Sequence, residues 1–258
     1  MKKQGYFVIG GIALLNILVV VLFMLNKPWE PLNQFSNFFV RLFSLLGLVA
    51  LFISSIFTLF SKELYKIFKK SFIKIHHASA YTGLVLMTLH PIIFGIDKIE
   101  QSLIFTDGLK VFLPDFSSHW NFWRLAGRPA LIIFVLAIIG ALIRRSFKKG
   151  WRWIHALNYI AFTFVVIHGV LNGSDFYGFN LYQTFVDPLA VPETLIAQKL
   201  IMTILALLML LAVIATFIIK RVQATKRKQL KKAKTTDIDK TETTEETTEE
   251  TTEDIVNE

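Results

Sequence analysis

Six long apolar segments restrict the fold of this chain more than any other feature of its sequence. A transmembrane α-helix needs about 20 mostly apolar residues, and the segments approach or exceed that length. The chain is 53% hydrophobic, which is typical of an integral membrane protein. The sequence therefore predicts an all-α integral membrane bundle of six transmembrane helices. The segments are Tyr6–Asn26, Phe38–Phe60, Ile75–Ile96, Arg128–Ile143, Ile154–Leu171 and Leu200–Ile219.

Lysine and arginine gather in alternate connections between the segments. Basic residues are dense in Lys62–Lys74, in Arg144–Arg152 and in Lys220–Lys234, and sparser in the other connections. Because basic residues stay preferentially in the cytoplasm, we expect both termini there, with the protein in the cytoplasmic (plasma) membrane. The net charge of +9 then predicts contact with anionic membrane lipid, and no nucleic acid as a partner.

The last part of the chain differs sharply in composition from the rest. Residues from 235 onward are rich in threonine and glutamate and offer little that could form a core. We therefore expect two domains. Residues 1–220 would form a six-helix transmembrane domain, and residues 221–258 a basic and then acidic disordered cytoplasmic tail.

Five of the six histidines lie in the third and fifth segments, where ionisable residues are costly and usually functional. Both segments would run from the inside to the outside, so their histidines fall at two depths. The depths are about 20 Å apart along a helix that rises about 1.5 Å per residue. These histidines are His76, His77, His90, His155 and His168.

One histidine from each segment at each depth suits two stacked b-type haems, because a haem iron takes two axial ligands from opposite faces. At about 100° per residue, the fourteen-residue spacing of His76 and His90 keeps both on one face. The thirteen-residue spacing from His77 does not, so His76 is preferred as a ligand. His155 and His168 share the poor spacing, which would need a helix distortion or a different approach of the rings. We predict His76 and His155 at the inner haem and His90 and His168 at the outer haem.

Other chemistries are less well supported by the residues. The chain has no cysteine, which excludes a covalent c-type haem and a thiolate iron–sulfur site. A structural zinc ion needs about four close ligands, and the two depths are too far apart to share one ion. A proton or metal-ion transporter using the membrane histidines remains an alternative, although no acid precedes Asp97 in the third segment. Histidines that only pack, or a membrane anchor or assembly factor without redox function, are further alternatives.

Two stretches resemble the ferric reductase-like transmembrane domain family. This family includes ferric-chelate reductases, the membrane part of NADPH oxidases and the haem subunit of the methionine-sulfoxide reductase system. The stretches are IHHASAYTGLVLMTLHP at 75–91 and GWRWIHALNYIAFTFVVIHG at 150–169. The family pattern has a histidine, then a basic residue, a small residue four positions on and a second histidine after fourteen. His77 and Ala80 depart from the usual arginine or lysine and from the usual glycine.

The second stretch matches the family pattern of a tryptophan four residues before a histidine, a tyrosine four residues after it and a second histidine at thirteen. Here these are Trp151, His155, Tyr159 and His168. The resemblance covers roughly residues 36–219. It implies that the thirteen-residue spacing of His155 and His168 is compatible with haem binding. It also implies that His76, His90, His155 and His168 bind two haems b, and that electrons pass outward from the cytoplasm.

The resemblance also suggests roles for further residues. Arg41, Arg124 and Arg128 are candidates to pair with a propionate of the outer haem, with an interfacial anchor as the alternative reading of Arg41. Arg145 or Lys149 could serve the inner haem, although the topology alone explains both. His119 is either a substrate-metal ligand or, as we prefer, a surface histidine. Pro91 is expected to kink the third helix.

We find no G-x-G-x-x-G and no phosphate-binding loop in the sequence. We therefore expect FAD or NAD only through a partner, and a separate flavoprotein reductase, reduced flavin or quinol as the electron donor. The extracytoplasmic acceptor would be a ferric complex, a redox protein or oxygen.

Overall fold

The computed structural model describes residues 3–26, 35–68, 72–148, 150–177 and 196–255, and all its regular elements are helical. A single 3₁₀ turn, Ile143–Arg145, follows α7. The α-helices are α1 Lys3–Leu25, α2 Phe35–Phe57, α3 Ser61–Phe68, α4 Phe72–Ser102, α5 Phe105–Lys110, α6 His119–Arg124, α7 Gly127–Leu142, α8 Trp151–Asn172 and α9 Ile196–Ile255.

Six of these helices match the six apolar segments. Among the described residues, α1, α2, α4, α7, α8 and the first half of α9 are long and apolar enough to cross a membrane. This confirms the predicted all-α architecture with six membrane-spanning helices. One difference lies in α4, which continues to Ser102 instead of ending at Ile96.

Pro91 lies inside α4, and the helix continues through it. Proline has no N–H, so the carbonyl of Met87, four residues earlier, loses its usual helical partner. The sequence predicted a kink here. The structure shows α4 as one helix with Pro91 and Met87 both on the wall of a cavity described below.

The core of the bundle is formed by side chains from α1, α2, α7, α8 and the first part of α9. Phe23, Val49, Phe162, Val166 and Val213 are among the most completely buried. The spanning helices also carry many exposed large apolar side chains, such as Leu14, Val85 and Leu136. Apolar residues on both the inner and the outer faces are expected where the surrounding solvent is lipid.

Small residues bring neighbouring helices close together. A Cβ placed on Gly83 of α4 would lie 2.8 Å from the Leu51 side chain and 3.1 Å from its backbone nitrogen in α2. A Cβ on Gly140 of α7 would lie 2.6 Å from the Ile154 side chain in α8. Small residues at helix contacts are a common means of packing in membranes, because the backbones can approach closely. The two histidine-bearing helices are thus each packed tightly on a neighbour.

The chain divides into two compact units, Met1–Ile214 and Ala215–Glu258. The sequence predicted a disordered tail from residue 221, whereas the structure continues α9 to Ile255. Residues 196–255 contain neither proline nor glycine, the residues that most readily end a helix. Helix is therefore compatible with the backbone of the tail even though its composition offers no core.

Candidate functional site

The histidines of α4 and α8 face one another in two pairs. The ring centroids of His76 and His155, the first pair, are 6.2 Å apart. Those of His90 and His168, the second pair, are 6.4 Å apart. The earlier histidine of α4 meets the earlier histidine of α8, and the later meets the later. The two helices therefore run parallel, as the sequence predicted.

His77 takes a different position from His76. Its ring centroid lies 5.8 Å from the Tyr81 ring and 5.9 Å from the His76 ring. His76 is the histidine that meets His155, which agrees with the preference drawn from helix phase. The thirteen-residue spacing of His155 and His168 does not prevent either from meeting its partner. An imidazole extends well beyond its Cα, so the direction of each ring can compensate for the offset between the two Cα positions.

Both rings of the second pair are anchored to backbone carbonyl groups through Nδ1. Nδ1 of His90 lies 2.8 Å from the Val40 oxygen, and Nδ1 of His168 lies 2.6 Å from the Arg124 oxygen. A carbonyl oxygen only accepts, so Nδ1 must carry the proton. In a neutral imidazole the lone pair is then on Nε2, the arrangement found in histidines that bind metals.

The first pair has the same kind of anchor with additional polar partners. Nδ1 of His76 lies 3.2 Å from the Ser54 carbonyl oxygen and 2.9 Å from its hydroxyl oxygen. Nδ1 of His155 lies 3.3 Å from the Ala137 carbonyl oxygen and 3.2 Å from the Asn158 amide. If the nitrogen and oxygen of the Asn158 amide exchange places, its oxygen can accept a hydrogen bond from Nδ1–H of His155. All four rings can therefore keep the proton on Nδ1, which places the lone pair of each neutral ring on Nε2.

The separation of the rings matches the space that one metal ion requires. A metal–imidazole bond of about 2 Å, plus about 1 Å from the nitrogen to the ring centre, gives about 6 Å between two rings on opposite sides of an ion. The observed separations are 6.2 and 6.4 Å. Edge-to-face contact between rings also occurs at such distances. The shared Nδ1 anchors favour the metal, because packing alone does not require one tautomer in all four rings.

A cavity of about 360 Å³ lies beside the second pair and is lined mainly by residues from α2, α4, α7 and α8 and from the segment that follows α8. Pockets for cofactors are usually about 300–1,000 Å³ and mostly apolar, with a few polar groups. Apolar side chains such as Leu45, Leu48 and Phe134 form much of the wall. The polar groups on the wall besides the two histidines are Asn37, Arg41, Ser44, Arg128, Asn172, Ser174 and Asp175. The cavity therefore suits a largely apolar ligand that carries charged or polar substituents.

The start of α7 lies directly against His168. A Cβ on Gly127 would be 2.6 Å from Cδ2 and 3.0 Å from Nε2 of the His168 ring. Gly127 also lines the cavity. Only glycine leaves the ring its present position at this contact, so Gly127 belongs to the site, although no functional role was predicted for it.

Arg41 is held by a buried acid that the sequence analysis missed. Its Nε donates to Oδ2 of Asp175 at 2.9 Å, and its Nη2 donates to Oδ1. The side chains of Arg41 and Asp175 are 12% and 4% exposed. Asp175 lies four residues after the fifth apolar segment. An acid so close to a membrane helix, with an arginine at the same predicted depth, was the available signal. Arg41 is thus neither a simple interfacial anchor nor a free cation.

The remaining candidate residues occupy varied positions. Arg128 lines the cavity and donates to the Leu113 carbonyl oxygen at 2.9 Å. The backbone oxygen of Arg124 anchors His168. The buried Nε of the Arg124 side chain has no hydrogen-bond partner among the described residues. Arg145 is exposed at the end of its 3₁₀ turn, and His119 is exposed at the start of α6. Lys149 lies outside the described residues. A propionate partner is therefore not assigned among them.

Metal sites built only from protein ligands do not occur in the part of the chain that the structure describes. No three histidine, cysteine, aspartate or glutamate side chains converge there in a way that could hold a metal ion. Each histidine pair offers two ligands on opposite sides. A metal at either pair would need its remaining ligands from other molecules, such as a cofactor or water.

Comparisons with known proteins yielded no family model, no curated protein and no solved structure that matches this chain.

Proposed function

We propose that this protein carries electrons across a membrane through two b-type haems, as its resemblance to the ferric reductase-like transmembrane domain implies. One observation carries the proposal. Two parallel helices present two histidine pairs, and every Nδ1 is anchored on a backbone carbonyl. The ring centroids of the pairs are 6.2 and 6.4 Å apart, which leaves room for one metal ion between the rings. A haem would supply the further iron ligands that a two-histidine site lacks.

In this proposal His76 and His155 bind the haem nearer the cytoplasm, and His90 and His168 bind the haem nearer the outside. When bound, each haem supplies a one-electron couple of the iron. The protein binds and orients the group with Nε2 of each ring, fixes each ring through its carbonyl partner and excludes water with the apolar walls of the bundle. No side chain needs to act as a general acid or base.

The electron donor in this proposal is a separate flavoprotein reductase, a reduced flavin or a quinol on the cytoplasmic side. The acceptor is an extracytoplasmic ferric complex, redox protein or oxygen. The distribution of lysine and arginine supports a cytoplasmic membrane location with both termini inside. The protein would act as the membrane subunit of an oxidoreductase, and FAD or NAD would bind only to its partner.

The test is a dithionite-reduced minus oxidised absorbance spectrum of the purified protein, with haem quantified per chain. We expect two low-spin haems b in the unmodified chain. His90→Ala and His168→Ala should each reduce the content to one, because each removes an axial ligand of the same haem. His76→Ala should also remove one haem, whereas the neighbouring change His77→Ala should leave two.

His119→Ala is the matched control, because His119 is exposed outside the membrane-spanning helices. This variant should retain both haems. A chain without haem after expression with ample haem would contradict the proposal. Proton or metal-ion flux through such a haem-free protein would instead support the transporter alternative.

A further inference from the structure

The Arg41–Asp175 ion pair is buried at the wall of the cavity beside the second histidine pair. Arg41 donates from two nitrogen atoms to the two oxygen atoms of Asp175, the bidentate geometry that gives the strongest pairs of this type. The Asn26 amide donates to the same carboxylate at 3.2 Å, and the Arg41 guanidinium lies over the Phe23 ring, 5.4 Å from its centroid. Phe23 of α1 and Asn26, which directly follows α1, thus help to hold the pair in place.

The pair also connects α2, which anchors His90, to the end of α8, which carries His168. Arg41 directly follows Val40, whose carbonyl oxygen anchors Nδ1 of His90. Asp175 lies seven residues after His168 and three residues after Asn172, the last residue of α8. The ion pair therefore ties the segment that orients His90 to the end of the helix that carries His168.

As a unit the pair is electrically neutral. Removal of one partner would leave an uncompensated charge in a poorly solvated place, where charge interactions are strong and weakly screened. Loss of Asp175 would leave a positive charge beside the cavity, and loss of Arg41 a negative one. Arg128 also lines the cavity, and its charge is the same in all these variants. Lys199 interacts electrostatically with both Arg41 and Asp175, so the double variant, which removes both charges, is the control for its contribution.

We propose that the Arg41–Asp175 pair sets the reduction potential of the group bound at the second histidine pair, by keeping the cavity wall neutral. This inference rests on the proposed function. Reduction adds one electron to the iron and lowers its charge by one. A positive charge on the wall therefore favours the reduced form, and a negative charge favours the oxidised form.

The test is a potentiometric titration of both haems in the purified unmodified protein and in three variants. Asp175→Asn should raise the potential of the second-pair haem, and Arg41→Gln should lower it. Each shift should be at least about tenfold in the reduction equilibrium, which is 59 mV for one electron. The double variant, Arg41→Gln with Asp175→Asn, is neutral again and should return close to the unmodified potential. The first-pair haem, which is farther away, should shift less in every variant.

A purely structural role would give a different pattern, because distortion does not depend on the sign of the charge. Single-variant shifts in the same direction, or no shift in variants that keep both haems, would overturn the inference and leave the proposed function intact. If the single variants lose the second haem, its recovery in the neutral double variant supports the inference, and its continued loss overturns it. An unmodified protein without haem would overturn both proposals.

Discussion

At the scale of single residues, the site depends on how closely each imidazole is held. His168 is fixed between the Arg124 carbonyl and Gly127, with no room for a methyl group at residue 127. We predict that Gly127→Ala displaces the His168 ring and lowers the occupancy of the second haem, while the first haem is retained. Overpacking of this kind typically costs about 1–3 kcal/mol. Haem content per chain and the reduced-minus-oxidised spectrum measure the effect.

Gly10→Ala is the control for this change. Gly10 also lies in a helix, but nothing lies within 4 Å of a Cβ added there. Alanine favours helix over glycine by about 1 kcal/mol, so this variant should keep both haems and lose no stability. Full retention of the second haem in Gly127→Ala would show that the His168 ring tolerates a shift. Gly127 would then not be required by the site.

At the scale of helices, the contact between α2 and α4 supports both histidine pairs, because α4 carries one histidine of each. α2 also supplies Ser54, which accepts from His76, and Val40, which accepts from His90. We predict that Gly83→Ala pushes α4 away from Leu51 of α2 and lowers the apparent melting temperature of the protein. Both haems should be weakened together, unlike the selective loss from Gly127→Ala. Heating followed by size-exclusion chromatography measures the apparent melting temperature, and haem quantification measures the haem content.

Gly11→Ala serves as the reference for the Gly83 change, since a Cβ there also meets nothing within 4 Å. An apparent melting temperature in Gly83→Ala equal to that of Gly11→Ala would mean that the Leu51 side chain moves aside at no cost. The contact of α2 with α4 would then not be what supports the two pairs.

At the scale of the whole molecule, the proposed direction of electron flow depends on the orientation of the six spanning helices. We predict that a fluorescent reporter fused at residue 258 is fluorescent in the cytoplasm and that an alkaline phosphatase fused there is inactive. The basic connections resist translocation and keep this end of the chain inside. A fusion within residues 111–118, between α5 and α6, should give the opposite result. A phosphatase that is active at residue 258 would reverse the membrane orientation, and with it the sides proposed for donor and acceptor.

The sequence by itself determined the all-helical architecture, the six spans and the two depths of histidines. These depend on local properties, namely apolar length and the regular rise of a helix, which hold before any packing is known. The same reasoning preferred His76 to His77. It placed the end of the third helix at Ile96, whereas α4 continues to Ser102.

Only the tertiary structure decided which groups hold the histidines. The carbonyl partners Ser54, Val40, Arg124 and Ala137 are backbone atoms 18–50 residues away from their histidines, and any residue type offers a carbonyl. The partner of Arg41 likewise lies 134 residues away along the chain. Contacts of this kind leave no local pattern, because they arise from how helices pack against one another and not from the periodicity of any one helix.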